Sequence, residues 1–207
     1  MIEELFNLNC IKTGLFTLKS GEVSKYYFDM KNVISSPKLL AEIGDKMHSL
    51  LKDCDLLCGV PYGGLPICSY ISTKYNIPMI MPRTSEKKYG TKKQIEGTYS
   101  KNQRCVIIED VITTGGSVNE VIELLKDKVN VVQVVTMLDR QQNHKCVVDV
   151  SSAICKNDIT NYLLRKTIKE KQTKLCFSAD LTDPELLLDN LKKVGDYISI
   201  CKIHLDI

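Results

Sequence analysis

The sequence predicts an α/β fold, a mainly parallel sheet flanked by helices. Short apolar runs rich in β-branched residues alternate with segments of helical period, the pattern of a parallel sheet with helices on both faces. Those runs are continuously apolar, as in strands buried on both sides. One of them, "CVIIED" at 105–110, runs straight into the small-residue stretch "VITTGGSV", which reads as a strand, a bared turn and a helix start.

Taken in order, the predicted strands are 56–60 (LLCGV), 78–82 (PMIMP), 105–110 (CVIIED), 131–138 (VVQVVTML) and 147–154 (VVDVSSAI). The first predicted helix covers 37–52, with Ser36 as its cap, Pro37 in its first turn and Leu40, Ile43, Met47, Leu50 and Leu51 on one face. A second covers 64–75. A third covers 118–128, where Ser117 and Glu120 have capping-box spacing ahead of Val121, Ile122 and Leu125. Between the strands at 78–82 and 105–110 lies a long polar segment with five lysines and an arginine, and a loop of that length inside a compact domain is functional or disordered. Beyond 156 comes a Lys-rich helix (161–171), then a strand (174–179), a helix (183–193) and a strand (197–203). Thr182 and Glu185 again have capping-box spacing there, with Pro184 in the first turn.

The chain has 207 residues, 43% of them hydrophobic, enough for one domain of ordinary size plus an extension. Its 28 basic and 25 acidic side chains give a net charge of +3, which argues against a protein that coats nucleic acid, so an anionic partner needs a local site. Nine cysteines sit mostly inside apolar runs (Cys58, Cys68, Cys105, Cys176, Cys201) with no CxxC pair. Together with the absence of a signal-like N-terminus, this leads us to expect a reduced, cytoplasmic protein. No stretch approaches the ~20 apolar residues that span a bilayer, so no membrane partner is expected. His48 reads as structural, and no Cys/His metal cluster is present in the pattern.

The strand–turn–helix at 105–128 offers the backbone N–H groups of Thr114, Gly115, Gly116 and Ser117 to a phosphate at a helix N-terminus, and Thr113, Thr114 and Ser117 add hydroxyls. No GxxxxGK[ST] lysine and no GxGxxG after a strand is present. Glu109 and Asp110 precede the cradle and would repel a bare phosphate, unless the ligand places hydroxyls or a metal against them. A ribose 5-phosphate does so, its phosphate on the loop and its 2- and 3-hydroxyls toward the acids.

"VIIEDVITTGGS" resembles the phosphoribosyl-diphosphate (PRPP) signature of type I phosphoribosyltransferases, and further segments narrow the resemblance to orotate phosphoribosyltransferases of the kind that form the N-terminal half of bifunctional UMP synthases. "FTLKSGEVSKYYFDM" is similar to that family's N-terminal motif, "CGVPYGGLPI" to its pyrophosphate loop, "PRTSEKKYGTKKQIEG" to its mobile catalytic loop, and "MLDRQ" to the segment with its orotate-contacting arginine. The resemblance covers about residues 5–165. It implies the type I phosphoribosyltransferase fold with a small N-terminal hood, over a domain at 1–168. It implies an orotate set of Lys19, Tyr27, Phe28, Thr113 and Arg140. The implied PRPP set is Lys19, Tyr62, Gly63, Arg83, Lys87, Lys88, Tyr89, Glu109, Asp110 and Thr113 through Ser117, with Arg83, Lys87 and Asp110 closest to the chemistry. Mg²⁺ is implied as an ion held mainly by PRPP itself, and a homodimer is implied in which loop 84–98 reaches the neighbouring subunit's site. Two positions depart from the bacterial pattern: Gly63 stands where many relatives have lysine, and Thr84 where they have a second cation.

Residues 169–207 resemble the opening of orotidine 5′-monophosphate decarboxylase, with Ser178 and Asp180 matching its SAD motif and Lys202, His204 and Asp206 its KxHxD strand. That fold is a (β/α)₈ barrel of about 250 residues. At most two of its strands are present, and the Asp-x-Lys-x-x-x-Asp element is missing, so no decarboxylation is expected of these residues. Three alternatives stay open on the sequence: transfer to a purine, a non-catalytic PRPP sensor that binds nucleic acid, and an inactive remnant of UMP synthase.

Overall fold

The computed structural model describes residues 1–17, 21, 23–83, 94–179 and 184–203, of which 177–179, 184, 202 and 203 are described by backbone alone. The chain divides into two compact units, Met1–Lys156 and Asn157–Ile207.

The first unit opens with helix α1 (Ile2–Asn7) and an antiparallel hairpin of β1 (Ile11–Thr17) and β2 (Val23–Phe28). Facing pairs include Ile11 with Phe28 and Lys12 with Tyr27. The burial of β2 alternates residue by residue, as expected of a strand with one covered face. This hairpin stands where the hood is expected. A 3-10 turn (Met30–Ser35) leads into α2 (Pro37–His48), whose start follows the sequence expectation: the Ser36 hydroxyl accepts from the Leu39 N–H at 3.3 Å and Pro37 occupies the first turn. The helix ends four residues earlier than 52, and its buried stripe is Leu39, Ile43, Gly44 and Met47, so the i, i+4 row starts at Leu39 and not at Leu40.

The main sheet contains β3 (Leu56–Gly59), β4 (Met79–Pro82), β5 (Ile95–Glu96), β6 (Arg104–Ile112), β7 (Asn130–Asp139) and β8 (Val150–Cys155), in the order β5-β4-β3-β6-β7-β8. All neighbours run parallel except the short edge strand β5. Helix α3 (Gly64–Tyr75) occupies the predicted range, closed by Asn76 in the left-handed conformation. Helix α4 (Gly116–Leu125) sits between β6 and β7 in sequence. One face of the sheet, with Leu56, Cys58, Cys105, Ile107 and Val134, buries Val118, Val121 and Leu125 of α4. The alternate residues point the other way. On that side a Cβ added to Gly64 of α3 would lie 2.3 Å from the Ile108 carbonyl oxygen, so glycine allows α3 to approach β6.

The expected Ser117–Glu120 capping box does not form. Helix α4 begins at Gly116, its cap is Gly115 with φ +84°, and no side chain caps it. A capping serine needs an extended backbone, whereas the chain here reverses sharply in the left-handed region, which favours glycine. Buried polar groups inside the sheet are satisfied. Gln133 donates to the Leu50 carbonyl at 2.9 Å and accepts from the Lys52 N–H at 2.8 Å, and the Thr136 hydroxyl donates to the Asp110 carbonyl at 3.1 Å. His48 stacks on Tyr75 at 3.4 Å, a packing role.

The second unit contains nearly all of α5 (Lys156–Lys171), then β9 (Cys176–Ala179), α6 (Pro184–Val194) and β10 (Ile200–Ile203). Strands β9 and β10 pair in parallel, which gives one βαβ unit. Thr182 of the second capping box lies outside the described residues. All nine cysteines are thiols, and no described helix is long and apolar enough to cross a membrane.

Candidate active site

Strand β6 carries the acid pair outward from the core, and the two carboxyl groups meet different surroundings. Glu109 is 5% exposed, whereas the Asp110 side chain keeps 13% of its surface open. Glu109 Oε1 accepts from the Asp110 N–H at 2.8 Å, and Asp110 Oδ1 accepts from the Val111 N–H at 2.8 Å. Burial pushes the Glu109 carboxyl well above the ordinary carboxylate range, the neighbouring Asp110 reinforces that rise, and the Asp110 amide and the Lys31 ammonium oppose it. The pair is therefore chemically asymmetric: Glu109 favours its protonated form, and Asp110 is the member open to a ligand.

Opposite Asp110 lies the turn leading into α3. A Cβ added to Gly63 would sit 1.9 Å from Asp110 Oδ2, so the carboxylate occupies the volume that any side chain at 63 would need. Tyr62, next to it, is 70% exposed. From the hood side Lys31 Nζ lies 3.7 Å from Asp110 Oδ2 and 3.7 Å from Asp29 Oδ1.

Past the acids, Thr113 is half-buried, Thr114, Gly116 and Ser117 are exposed, and Gly115 is buried. This baring of main chain at the start of α4 suits an anion. The loop after β7 backs the turn: the Lys145 N–H donates to the Thr114 carbonyl at 3.1 Å, the Asn119 amide donates to the Lys145 carbonyl at 2.8 Å, and a Cβ on Gly115 would meet Cys146 Sγ at 2.7 Å.

Arg140 follows β7, and its N–H donates to the Ile112 carbonyl at 3.1 Å, which puts it beside the end of β6. Its guanidinium lies 5.5 Å from the Phe28 ring centre, and both residues line a cleft of about 200 Å³ with Ser24, Lys25, Tyr26 and Lys156. Phe28 and Arg140 are thus brought together, whereas Tyr27 points to the other side of β2 and packs on Phe16 with ring centres 5.6 Å apart. Arg83 pairs with Glu96 across β4 and β5 at 2.5 Å. Lys19, Thr84, Lys87, Lys88, Tyr89, Asp180, His204 and Asp206 lie outside the described residues, as do the side chains of Ser178 and Lys202.

Residues 29–160 match the family described as the phosphoribosyl transferase domain. The chain belongs to this family. The matched range takes in the acid pair, the bared turn and Arg140, and it ends close to the boundary of the first compact unit. Among similar proteins, the orotate phosphoribosyltransferase of Pyrococcus horikoshii is 37% identical over 70% of this chain and 83% of its own length. The uridine 5′-monophosphate synthase of Bos taurus is 28% identical over all of this chain, which spans 58% of that relative. The solved structure of Leishmania donovani UMP synthase superposes with a TM-score of 0.71 at 28% identity, covering 95% of this chain and 42% of that one. The expected fold is therefore the observed one, down to the sheet flanked by helices.

Sequence reasoning passed over three residues that the phosphoribosyltransferase domain brings to the site: Asp29, Lys31 and Asn119. "FDMK" carries a signal for the first two only in hindsight, since a lone lysine after an aromatic run has no periodic signature. Asn119 lies within a helix, where nothing in the sequence marks its partner, Lys145.

Proposed function

We propose that this chain transfers the ribose 5-phosphate of PRPP to orotate, giving orotidine 5′-monophosphate and pyrophosphate. The observation that carries the reading is the placement of Arg140 and Phe28 beside the end of the strand that leads through Glu109 and Asp110 into the bared turn. The orotate and UMP synthase names of its relatives support it.

The first unit provides three zones for the reaction. Main-chain N–H groups of Thr114 to Ser117 and the hydroxyls of Thr113, Thr114 and Ser117 receive the 5-phosphate at the start of α4. Asp110, open where Glu109 is buried, accepts from the ribose hydroxyls and so fixes the sugar's orientation. Arg140 receives the carboxylate of a planar base whose ring lies near Phe28, with Lys19 and Thr113 assigned to the same ligand; the Tyr27 side chain, which packs on Phe16 on the opposite face of β2, is left out of that set. Orotate N1 forms its bond to the anomeric carbon as the C1–O bond to pyrophosphate breaks. Pyrophosphate leaves with the bonding pair, and the N1 proton goes to water. Arg83, Lys87 and Lys88, with Tyr62, Gly63 and Tyr89 alongside, neutralise the departing charge.

Mg²⁺, a hard cation that takes oxygen ligands, is assigned to PRPP's own oxygens. Mg²⁺ would supply charge compensation at the pyrophosphate. A homodimer sharing loop 84–98, a cytoplasmic location and the absence of nucleic-acid and membrane partners complete the proposal. Residues 1–168 are assigned to this activity. Residues 169–207 are assigned to a decarboxylase-like opening segment (Ser178, Asp180, Lys202, His204, Asp206) without decarboxylation of its own.

The test is the loss of orotate absorbance when PRPP and Mg²⁺ are added, with Asp110→Asn as control. Turnover that the substitution abolishes is expected. Turnover with a purine base instead of orotate redirects the reading, and no turnover with any base sinks it.

A further inference from the structure

Lys31 has no role in the chemistry set out above, yet it is placed between two carboxylates that come from different parts of the fold. Its ammonium stands 3.7 Å from Asp29 Oδ1, at the end of the hood hairpin, and 3.7 Å from Asp110 Oδ2, on the central strand. Neither distance is a direct hydrogen bond. Asp29 Oδ1 is buried and accepts no hydrogen bond, and the Lys31 ammonium beside it compensates its charge. Three further contacts constrain Asp110: Oδ1 accepts from the Val111 N–H, the Asp110 carbonyl accepts from Thr136, and the Gly63 turn blocks movement toward α3. Among the described residues, the charged and titratable groups around Asp110 are Glu109 on its own strand and Lys31 from the 3-10 turn, with Asp29 behind it.

We propose that Lys31 is a positioning residue for PRPP: anchored by Asp29, its ammonium holds Oδ2 of Asp110 aimed at the ribose hydroxyls and compensates the charge of that carboxylate until the sugar arrives. The proposal rests on the PRPP reading of the site. The long ion pair suits this role, because a hydroxyl can reach Oδ2 without a close hydrogen bond first being broken. Loss of the cation leaves the Asp29 and Asp110 carboxylates with no counter-charge from this side, so the cost falls on sugar binding and not on the base. Lys31 also draws the Glu109 carboxyl down against burial, so its removal sends that group further up.

The experiment compares Lys31→Met, Lys31→Arg and Asp29→Asn with the wild type, measuring PRPP affinity by calorimetry in the absence of orotate, KM for each substrate, and melting temperature. Lys31→Met is expected to weaken PRPP binding and raise its KM about fivefold, the ceiling for a half-exposed ion pair, with KM for orotate nearly unchanged. Lys31→Arg restores PRPP affinity, and Asp29→Asn gives a smaller loss in the same direction. Wild-type PRPP affinity in Lys31→Met overturns the proposal. So does an equal loss for both substrates that arginine fails to rescue, because that marks a structural role. A wild type that binds PRPP but ignores orotate defeats the orotate reading alone, while a wild type that does not bind PRPP defeats both.

Discussion

Gly63 and Glu109 show how single residues set this site. The absence of a side chain at 63 follows from Asp110, whose Oδ2 stands 1.9 Å from where a Cβ would be. The same contact gives a physical reason for the departure from relatives with lysine there: a longer side chain and this placement of Asp110 exclude each other. Gly63→Ala is therefore expected to push the carboxylate out of line, lowering kcat/KM for PRPP by about tenfold while costing about 1–3 kcal/mol of stability from overpacking. Steady-state kinetics and thermal melting check it, and wild-type kinetics would show that Asp110 yields freely. Glu109 gives a pH signature. Its carboxyl is raised mainly by burial, so its contribution to stability is present below its ordinary value of 4.5 and is lost as pH rises toward the raised native value. Wild-type stability should decline across that window by up to about 1.4 kcal/mol per pH unit, and Glu109→Gln should flatten the slope. Denaturant titrations from pH 5 to about pH 8 measure this; equal slopes in the two proteins would show that Glu109 does not titrate as proposed.

At the scale of elements, punctuation decided what the sequence could reveal. Helix α3 occupies its predicted range because Gly63–Gly64 opens it and Asn76 closes it, and the start of α2 follows from Ser36 and Pro37. The core strands were legible as unbroken apolar runs. The hood strands β1 and β2 were legible only through family resemblance, because their exposed alternate residues dilute the apolar signal. The start of α4 was misread because capping-box spacing is a local rule, whereas the left-handed turn at Gly115 answers to a non-local neighbour, Cys146. For the same reason the loop 141–146 was invisible as a support for the bared turn at the start of α4. It is held there by Asn119, through the Lys145 carbonyl, and by the Lys145 N–H on Thr114. Asn119→Ala removes one hydrogen bond worth about 1 kcal/mol, so KM for PRPP should rise about fivefold and amides of 143–146 should exchange faster. Unchanged exchange in that loop would show that Asn119 does not hold it.

For the molecule as a whole, the two compact units differ in how much apolar surface their own strands can cover. The first buries a six-stranded sheet whose central strands are covered on both faces, with Leu56, Leu57, Val106, Ile107 and Ile108 fully buried. The second pairs only β9 with β10, and among its described residues Leu175, Leu186, Leu188, Tyr197 and Ile200 are exposed. Lys171 donates to the Gly195 carbonyl and, at 3.2 Å, to that of Ile198, which ties α5 to the turn after α6; this polar clasp cannot replace a covered apolar face. A two-stranded sheet is marginal in water, since independent stability takes three or more strands or a covered face. Native-state hydrogen exchange should therefore separate the units: amides of β3, β6 and β7 open only with global unfolding, and those of β9 and β10 exchange through a local opening of lower free energy. Their protection should respond differently to ligand as well, with PRPP slowing exchange along β6 and the start of α4 while leaving β9 and β10 unchanged. Equal protection across both units, or a PRPP effect that reaches β10, would mean that they open as one cooperative body and that the second unit contributes to the stability of the first.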